Sequence, residues 1–349
     1  MRSTVPKWRA VFAGVAVAAM AATTLVASGA AQASPALVKG LKVAVIPKNL
    51  GNSYFVTADS VKTGGALAAL KQLGENGVET SGTTDTPASQ LPVIQSEITK
   101  GVNAIIISGT DPNALCPTLN SAMKKGIVVV TYDSDTNCRD LFIDQASPQG
   151  LGDIEVQMLA KEIDAANPTA ASGQIAIVSA SIDDTNQNTW IGYMKQELKS
   201  YPHLDLVKTV YGNDDTATST EVTEGLLSEF PNLKGIISPT TVGIAAAAVV
   251  LDTATYRGKV KLTGLGTPDE MKKFVADGTC QEFALWNPAN LGYLAAYAAV
   301  ELASKAITNA QGQSFVGGKL GKYTVGPDHT ILLGLPFVFD AANINQFNF

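Results

Sequence analysis

The stretch Gly126–Gln145, GIVVVTYDSDTNCRDLFIDQ, joins a short apolar, β-branched run to a polar loop. The run Gly126–Val130 is typical of a strand that is buried on both faces of a parallel sheet. Asp133 falls where this strand ends. Ligands of open α/β sheets bind outside the carboxyl ends of the strands, where a carboxylate accepts hydrogen bonds. The stretch therefore predicts one wall of a polar pocket, with capping of a turn by Asp133 and Asp135 as the alternative.

Apolar strand patterns alternate with helix patterns on both sides of this stretch. This order predicts an α/β fold with doubly wound parallel sheets. The same order of strands and helices begins again after residue 145, which predicts two lobes with a pocket between them. A single helix is predicted over Tyr54–Leu73. The other predicted strands are Leu41–Pro47, Val78–Ser81, Val102–Ser108, Gly173–Ser179, Leu204–Tyr211, Gly235–Ser238 and Lys259–Leu265.

The composition and the N-terminus indicate an exported protein. The 349 residues are 46% hydrophobic with a net charge of −6, which disfavours a nucleic-acid partner. Three cations precede the apolar run Ala10–Ala27, and Ala31–Ala33 fits a small-x-small cleavage site. We expect residues 1–33 to be a signal peptide cleaved after Ala33, without a lipobox, and a location in the periplasm or at the cell surface. A membrane-spanning anchor is the alternative.

The predicted strands indicate which of the three cysteines lie close together. Cys116 and Cys138 come after neighbouring strands, at the same end of the sheet, and export permits disulfides. We predict a Cys116–Cys138 bridge and a lone, buried Cys280.

The sequence gives little support to an enzyme or a cofactor protein. His203 and His329 are the only histidines, so His-based catalysis and a His-rich metal site have few candidates. Asp183 and Asp184 are adjacent, but such pairs in a loop are usually solvated. No nucleophile–base pair, metal cluster or phosphate-binding glycine loop is present. We expect no enzymatic activity and no cofactor.

Planar hydrogen-bonding groups and aromatic rings fall at the predicted strand ends. Asp, Asn and Gln pair well with hydroxyl groups, and aromatic rings cover the C–H face of a sugar or polyol. For each residue taken singly, loop capping or core packing is the alternative, and for Trp190 core packing in particular. Asn52 belongs to the same loop. The predicted ligand-binding residues are Lys48, Asn49, Tyr54, Phe55, Asp133, Asp135, Asn186, Gln187, Trp190, Pro239, Thr241, Trp286 and Asn287.

From about Leu41 to Phe349 the chain resembles the type I periplasmic sugar-binding proteins of ABC importers, and most of all their rhamnose- and autoinducer-2-binding branch. The resemblance implies two lobes joined by a three-segment hinge and the importer's membrane subunits as partners. It also implies the cysteine pair named above, and a monomer is expected. The motifs that carry it are Ile46–Asn52, Asp111–Cys116, Thr131–Asp135, Thr185–Asn188, Ser238–Ile244, Gly264–Pro268 and Phe283–Pro288.

Two pocket positions depart from the autoinducer-2 pattern. Asn186 stands where that pattern has Asp, and Thr241 stands where it has Ala. Losing a carboxylate and gaining a hydroxyl changes which hydroxyl arrangement fits. The resemblance therefore implies a small sugar or sugar alcohol, such as rhamnose, xylitol or threitol, with autoinducer-2 as the alternative. The positions that keep the pattern are Lys48, Asp133, Gln187 and Pro239.

The resemblance also implies lobes that are discontinuous in sequence. Lobe one is expected over 41–142 plus 288–321, and lobe two over 143–287 plus 322–349. The expected hinge crossings are Asp144–Gln145, Trp286–Asn287 and a segment near Val325–Leu335.

Overall fold

The computed structural model of the protein describes residues 36–166 and 173–349. The predicted signal peptide, residues 1–33, and its cleavage after Ala33 lie outside the described residues. Within the two described ranges, no helix has both the length and the apolar character needed to cross a membrane.

Strands and helices alternate along most of the described chain, and four short strands follow the last helix. The strands are β1 (Lys42–Ile46), β2 (Asn76–Glu79), β3 (Ala104–Ile107), β4 (Val128–Tyr132), β5 (Leu141–Asp144), β6 (Gly173–Ser179), β7 (Leu204–Tyr211), β8 (Leu233–Ser238), β9 (Lys261–Gly264), β10 (Glu282–Leu285), β11 (Ser314–Val316), β12 (Lys322–Thr324), β13 (Thr330–Leu332) and β14 (Phe337–Asp340). The helices are α1 (Ser53–Asp59), α2 (Ala66–Leu73), α3 (Pro87–Thr99), α4 (Cys116–Lys124), α5 (Pro148–Ala166), α6 (Thr185–Glu197), α7 (Thr216–Glu229), α8 (Thr241–Leu251), α9 (Pro268–Ala276) and α10 (Pro288–Ala303).

Two parallel sheets organise the fold, as predicted. The first sheet has the order β13-β5-β4-β3-β1-β2, and we call it and its packed helices the first lobe. The second has the order β7-β6-β8-β9, and with the antiparallel β10–β14 pair it forms the second lobe. Strand β4 is almost wholly buried because its Val and Tyr side chains have helices on both faces.

The strand orders explain where a ligand site is expected. In each sheet the order reverses beside the strand that comes first in that sheet: between β1 and β3, and between β6 and β8. The loops after these strands diverge to opposite faces and leave a crevice. Lys48, Asn186 and Pro239 follow the strands beside these two crevices.

The predicted single helix Tyr54–Leu73 is wrong, because the chain breaks after Asp59 and α2 begins only at Ala66. The cause is close packing: a Cβ at Gly65 would overlap the carbonyl of Ala58, and so would a Cβ at Gly292 of α10. Because of this break, α2 and α10 both pack closely against the backbone of α1 at Ala58.

The tail differs from the predicted lobe boundaries. Thr330–Leu332, expected in lobe two, pairs in parallel with β5 in the first sheet. β14 then pairs with β10 in the second lobe. The tail thus serves both lobes, and β5 itself extends two residues past the expected boundary at 142, to Asp144.

The predicted cysteine pair is brought together at the end of the first sheet. The Sγ atoms of Cys116 and Cys138 lie 2.07 Å apart, which is a disulfide distance. Cys280 is unpaired and buried.

Candidate functional site

A cavity lies between the lobes, at the carboxyl ends of β1, β4, β6 and β8. Most of its side chains are more than nine-tenths buried, so the two lobes are closed over it. We call it the inner cavity. Its lining residues are Lys48, Asn52, Tyr54, Phe55, Asp133, Asn186, Gln187, Trp190, Asp214, Pro239, Thr240, Thr241, Leu265, Leu285 and Trp286.

An ion pair crosses the cleft beside this cavity. The ammonium of Lys48, after β1, lies 2.9 Å from Oδ2 of Asp184, which directly precedes α6 in the second lobe. Their side chains are 2% and 0% exposed. Burial lowers the pKa of Lys48, but Asp184 and three further carboxylates raise it by more, so the net shift is upward. Lys48 is therefore a charged group whose charge is already matched.

The expectation that Asp183 and Asp184 are both solvated is wrong for Asp184. Asp183 is exposed, whereas Asp184 is fully buried against the opposite lobe.

Asp133 is the carboxylate at the centre of the cavity wall. Its backbone lies in the left-handed region, with φ at 62°. Oδ2 accepts a hydrogen bond from Ser108 Oγ at 2.7 Å, and Nδ2 of Asn186 in the second lobe lies 3.5 Å from Oδ1. Burial raises the pKa of Asp133, while Lys48 lowers it. Oδ1 is therefore the acceptor with capacity left for a ligand hydroxyl.

The first turn of α6 presents two amides to the cavity. Oε1 of Gln187 accepts hydrogen bonds from Ser179 Oγ at 2.7 Å and from the Ala180 amide at 2.8 Å. Oδ1 of Asn186 accepts a hydrogen bond from the backbone N–H of Gln187 at 2.8 Å. Because the oxygens are held by the protein, the NH2 groups are the parts that can donate to a ligand, and that of Asn186 already lies 3.5 Å from Oδ1 of Asp133.

Aromatic rings form the apolar side of the cavity. Trp286 Nε1 donates to the hydroxyl of Tyr54 at 2.9 Å. The ring centroids of Tyr54 and Phe55 lie 5.0 Å apart, and those of Trp190 and Trp286 lie 6.0 Å apart. Edge-on rings of this kind offer flat apolar faces to the C–H groups of a sugar or polyol.

Three of the predicted residues lie outside the inner cavity. Asp135 forms an ion pair with Arg139, whose Nε lies 2.9 Å from Oδ1 of Asp135. Asn287 caps α10 by accepting from the Asn290 amide at 3.0 Å. Asn49 is buried beside the cavity and lines the mouth of the cleft instead.

Four lining residues were not predicted. Asp214 and Thr240 follow β7 and β8, so the strand-end argument that found Asp133 applies to them as well. Leu265 and Leu285 also lie at strand ends. From the sequence, however, an apolar side chain at a strand end cannot be distinguished from a residue of the hydrophobic core.

Comparison with known proteins places this arrangement in a family. Residues 43–306 match the family model for a periplasmic binding protein domain. The chain belongs to the periplasmic binding protein family. Members of this family are exported.

Solved structures add detail within the family. The chain is 42% identical to a sugar ABC transporter structure from Actinomyces odontolyticus, with TM-score 0.68 over 88% of this chain and 98% of that one. An ABC transporter solute binding protein from Clostridium phytofermentas with bound L-rhamnose is 35% identical, with TM-score 0.80 over 88% and 98%. LsrB from Clostridium saccharobutylicum in complex with AI-2 is 25% identical, with TM-score 0.83 over 88% and 100%. These homologues are solute-binding proteins of ABC transporters, not enzymes.

Proposed function

We propose that the protein captures a small neutral polyhydroxylated ligand in the inner cavity and delivers it to the membrane subunits of an ABC importer. The ligand is a sugar alcohol such as xylitol or threitol, or a monosaccharide such as rhamnose. One observation carries the proposal: a closed cavity that joins the acceptor Asp133 and the donors Asn186 and Gln187 to a wall of aromatic rings.

The charges in the cavity favour a neutral ligand. Lys48 is paired with Asp184, so it offers no unmatched positive charge to a carboxylate or phosphate group. Hydroxyl groups both donate and accept, which suits the mixture of one carboxylate and two amide NH2 groups.

The ligand contacts explain how capture changes the shape of the protein. Asp133 belongs to the first lobe, whereas Asn186 and Gln187 belong to the second. A ligand that bonds to all three binds the closed arrangement better than the open one, and it shifts the equilibrium by that difference in affinity. The closed form is the one offered to the importer.

Autoinducer-2 is the second candidate ligand, since a structural neighbour was solved with AI-2. Asn186 and Thr241 favour the sugar or polyol, because they replace a carboxylate and a methyl group of the autoinducer-2 pattern. We further propose an exported monomer, cleaved after Ala33 and bridged between Cys116 and Cys138.

A thermal-shift screen of residues 34–349 tests the proposal. The panel contains pentitols, tetritols, deoxyhexoses, pentoses and autoinducer-2. A ligand at about a hundredfold over its Kd adds about 2.7 kcal/mol to the free energy of unfolding, which gives a clear shift. We expect a sugar or polyol to stabilise the protein. Stabilisation by autoinducer-2 alone would mean that the protein takes up a signal molecule. The absence of a thermal shift with every member of the panel would overturn the proposal.

A further inference from the structure

Asn52 and Asp214 lie where the inner cavity meets the mouth of the cleft, and both residues line both spaces. Asn52 comes directly before α1 in the first lobe, whereas Asp214 follows β7 in the second lobe. Ser53, the neighbour of Asn52, donates a hydrogen bond from Oγ to Oε1 of Glu270 in α9 of the second lobe, at 2.9 Å. The lobes therefore meet beside Asn52, and the two side chains reach the outer end of the inner cavity from opposite sides.

The loop that carries Asp214 is fixed to the end of β6. The backbone N–H of Asn213 donates a hydrogen bond to the carbonyl of Ala180 at 2.9 Å. The backbone N–H of Ala180 in turn donates to Oε1 of Gln187 at 2.8 Å. One residue thus holds both the loop and an amide of the inner cavity, so Asp214 has a fixed position relative to Gln187.

Asp214 and its neighbour Asp215 have different tasks. Asp215 caps α7 by accepting a hydrogen bond from the backbone N–H of Thr218 at 2.8 Å. Asp214 instead accepts at Oδ1 from the hydroxyl of Thr240, which also lines the inner cavity. Oδ2 is therefore the oxygen that can accept from a ligand. Burial raises the pKa of Asp214 to about 6, although Lys48 lowers it in part, so the group is mostly ionised at neutral pH.

Asn52 supplies the matching donor from the first lobe. Its side chain is 9% exposed. Oδ1 caps α1 by accepting a hydrogen bond from the backbone N–H of Tyr54 at 3.0 Å, so the NH2 group is the part that can donate to a ligand. A hydroxyl group donates through its hydrogen and accepts through its lone pairs. A single ligand hydroxyl can therefore bond to both side chains at once.

We propose that Asn52 and Asp214 form a hydroxyl-binding subsite at the outer end of the inner cavity. One ligand hydroxyl accepts a hydrogen bond from Nδ2 of Asn52 and donates one to Oδ2 of Asp214. The inference rests on the proposed function and narrows its ligand class. Because Asp133 and Asp214 approach the cavity from opposite lobes, the ligand brings a hydroxyl donor to each of them. Its end at the mouth of the cleft carries a free hydroxyl rather than a methyl group.

Exchanging the two side chains tests the subsite. Calorimetry of residues 34–349 at neutral pH measures Kd for xylitol, threitol, L-rhamnose and D-arabinose, and the variants are compared with the probe that the wild type binds most tightly. Asp214→Ala should raise this Kd by about tenfold or more, because the ligand hydroxyl loses its buried acceptor. Asn52→Asp keeps the oxygen that caps α1 but sets two carboxylates against one hydroxyl, so we expect a loss of the same size.

The double variant Asn52→Asp/Asp214→Asn should regain most of the affinity that Asn52→Asp loses. The acceptor and the donor have then changed lobes, and a hydroxyl can bond to the pair in either arrangement. The matched control is Asn52→Asp/Asp215→Asn. It restores the same net charge at the exposed neighbouring position and keeps a side chain that can cap α7, so it should stay as weak as Asn52→Asp.

Three results would overturn the subsite while leaving the proposed function in place: an Asp214→Ala variant with the wild-type Kd, a double variant Asn52→Asp/Asp214→Asn that is no better than Asn52→Asp, or equal recovery in the Asp215 control. Recovery through position 214 alone supports the subsite even if Asp214→Ala fails to fold, because both members of the exchange keep their oxygens for α1 and Thr240. A wild type that binds none of the four probes would overturn the proposed ligand class and the subsite together.

Discussion

Buried carboxyl groups have different surroundings in two regions of this molecule, the cleft and the helix α5 of the second lobe. In the cleft, Asp133 accepts a hydrogen bond from Ser108, and Asp184 holds Lys48 of the opposite lobe. On α5, Glu155 is fully buried and neither of its oxygens has a partner among the described residues. Burial of a carboxyl group alone therefore does not mark a ligand site. Donors from neighbouring loops or from the other lobe distinguish the cleft.

The largest expected effect comes from removing a buried carboxylate in the cleft. Asp133→Ala should abolish binding of the ligand found in the screen, because removing one partner of a buried, hydrogen-bonded charge costs about 2–5 kcal/mol. Asp135→Ala, two residues away in the same loop, is the matched control and should keep its affinity. Calorimetry measures both, and equal losses would mean that the loop rather than the Asp133 carboxylate carries binding.

A smaller effect is expected on the α5 side. Burial raises the pKa of Glu155 well above its ordinary value. Glu155→Gln removes an ionisable group that must be protonated on folding, so at pH 8 it should raise the free energy of unfolding by about 1–3 kcal/mol. Ligand affinity should not change. Glu224→Gln, on the exposed side of α7, is the control for chemical denaturation and should match the wild type. A destabilised Glu155→Gln would show that the ionised carboxylate is needed.

The pH dependence of stability tests the α5 side of the comparison further. Burial also raises the pKa of Glu162, to about 8, although Lys261 lowers it in part. A raised pKa in the folded state gives stability that is complete below the unfolded pKa and is lost as the pH rises through the folded pKa. The free energy of unfolding should therefore fall between pH 5 and pH 8, by up to about 1.4 kcal/mol per unit for each group. The double variant Glu155→Gln/Glu162→Gln should show a shallower slope, and a slope equal to that of the wild type would contradict the assignment.

The parallel sheets and much of the cavity wall could be predicted because their causes are local in sequence. A β-branched run such as Val128–Val130 suits only a buried strand, and the end of a strand is where a parallel sheet places its ligand groups. That reasoning brought Lys48, Asp133 and Gln187 to one cavity.

What could not be predicted depends on distant parts of the chain. Asp183 and Asp184 are chemically identical neighbours, and the opposite lobe decides which of them is buried. The break between α1 and α2 depends on Gly292, far along the chain in α10, because α10 packs on the Ala58 carbonyl. The pairing of Thr330–Leu332 with β5 leaves no trace in local periodicity, since a three-residue strand is too short to show any.

The contact between Trp190 and Trp286 has a practical consequence. The chain has three tryptophans, and Trp8 lies in the predicted signal peptide. Without that peptide, all tryptophan fluorescence comes from two rings in the cavity wall, 6.0 Å apart and each less than one-twentieth exposed. Water that reaches them when the cleft opens must shift their emission to longer wavelengths. The tryptophan emission of the unlabelled protein therefore reports ligand capture.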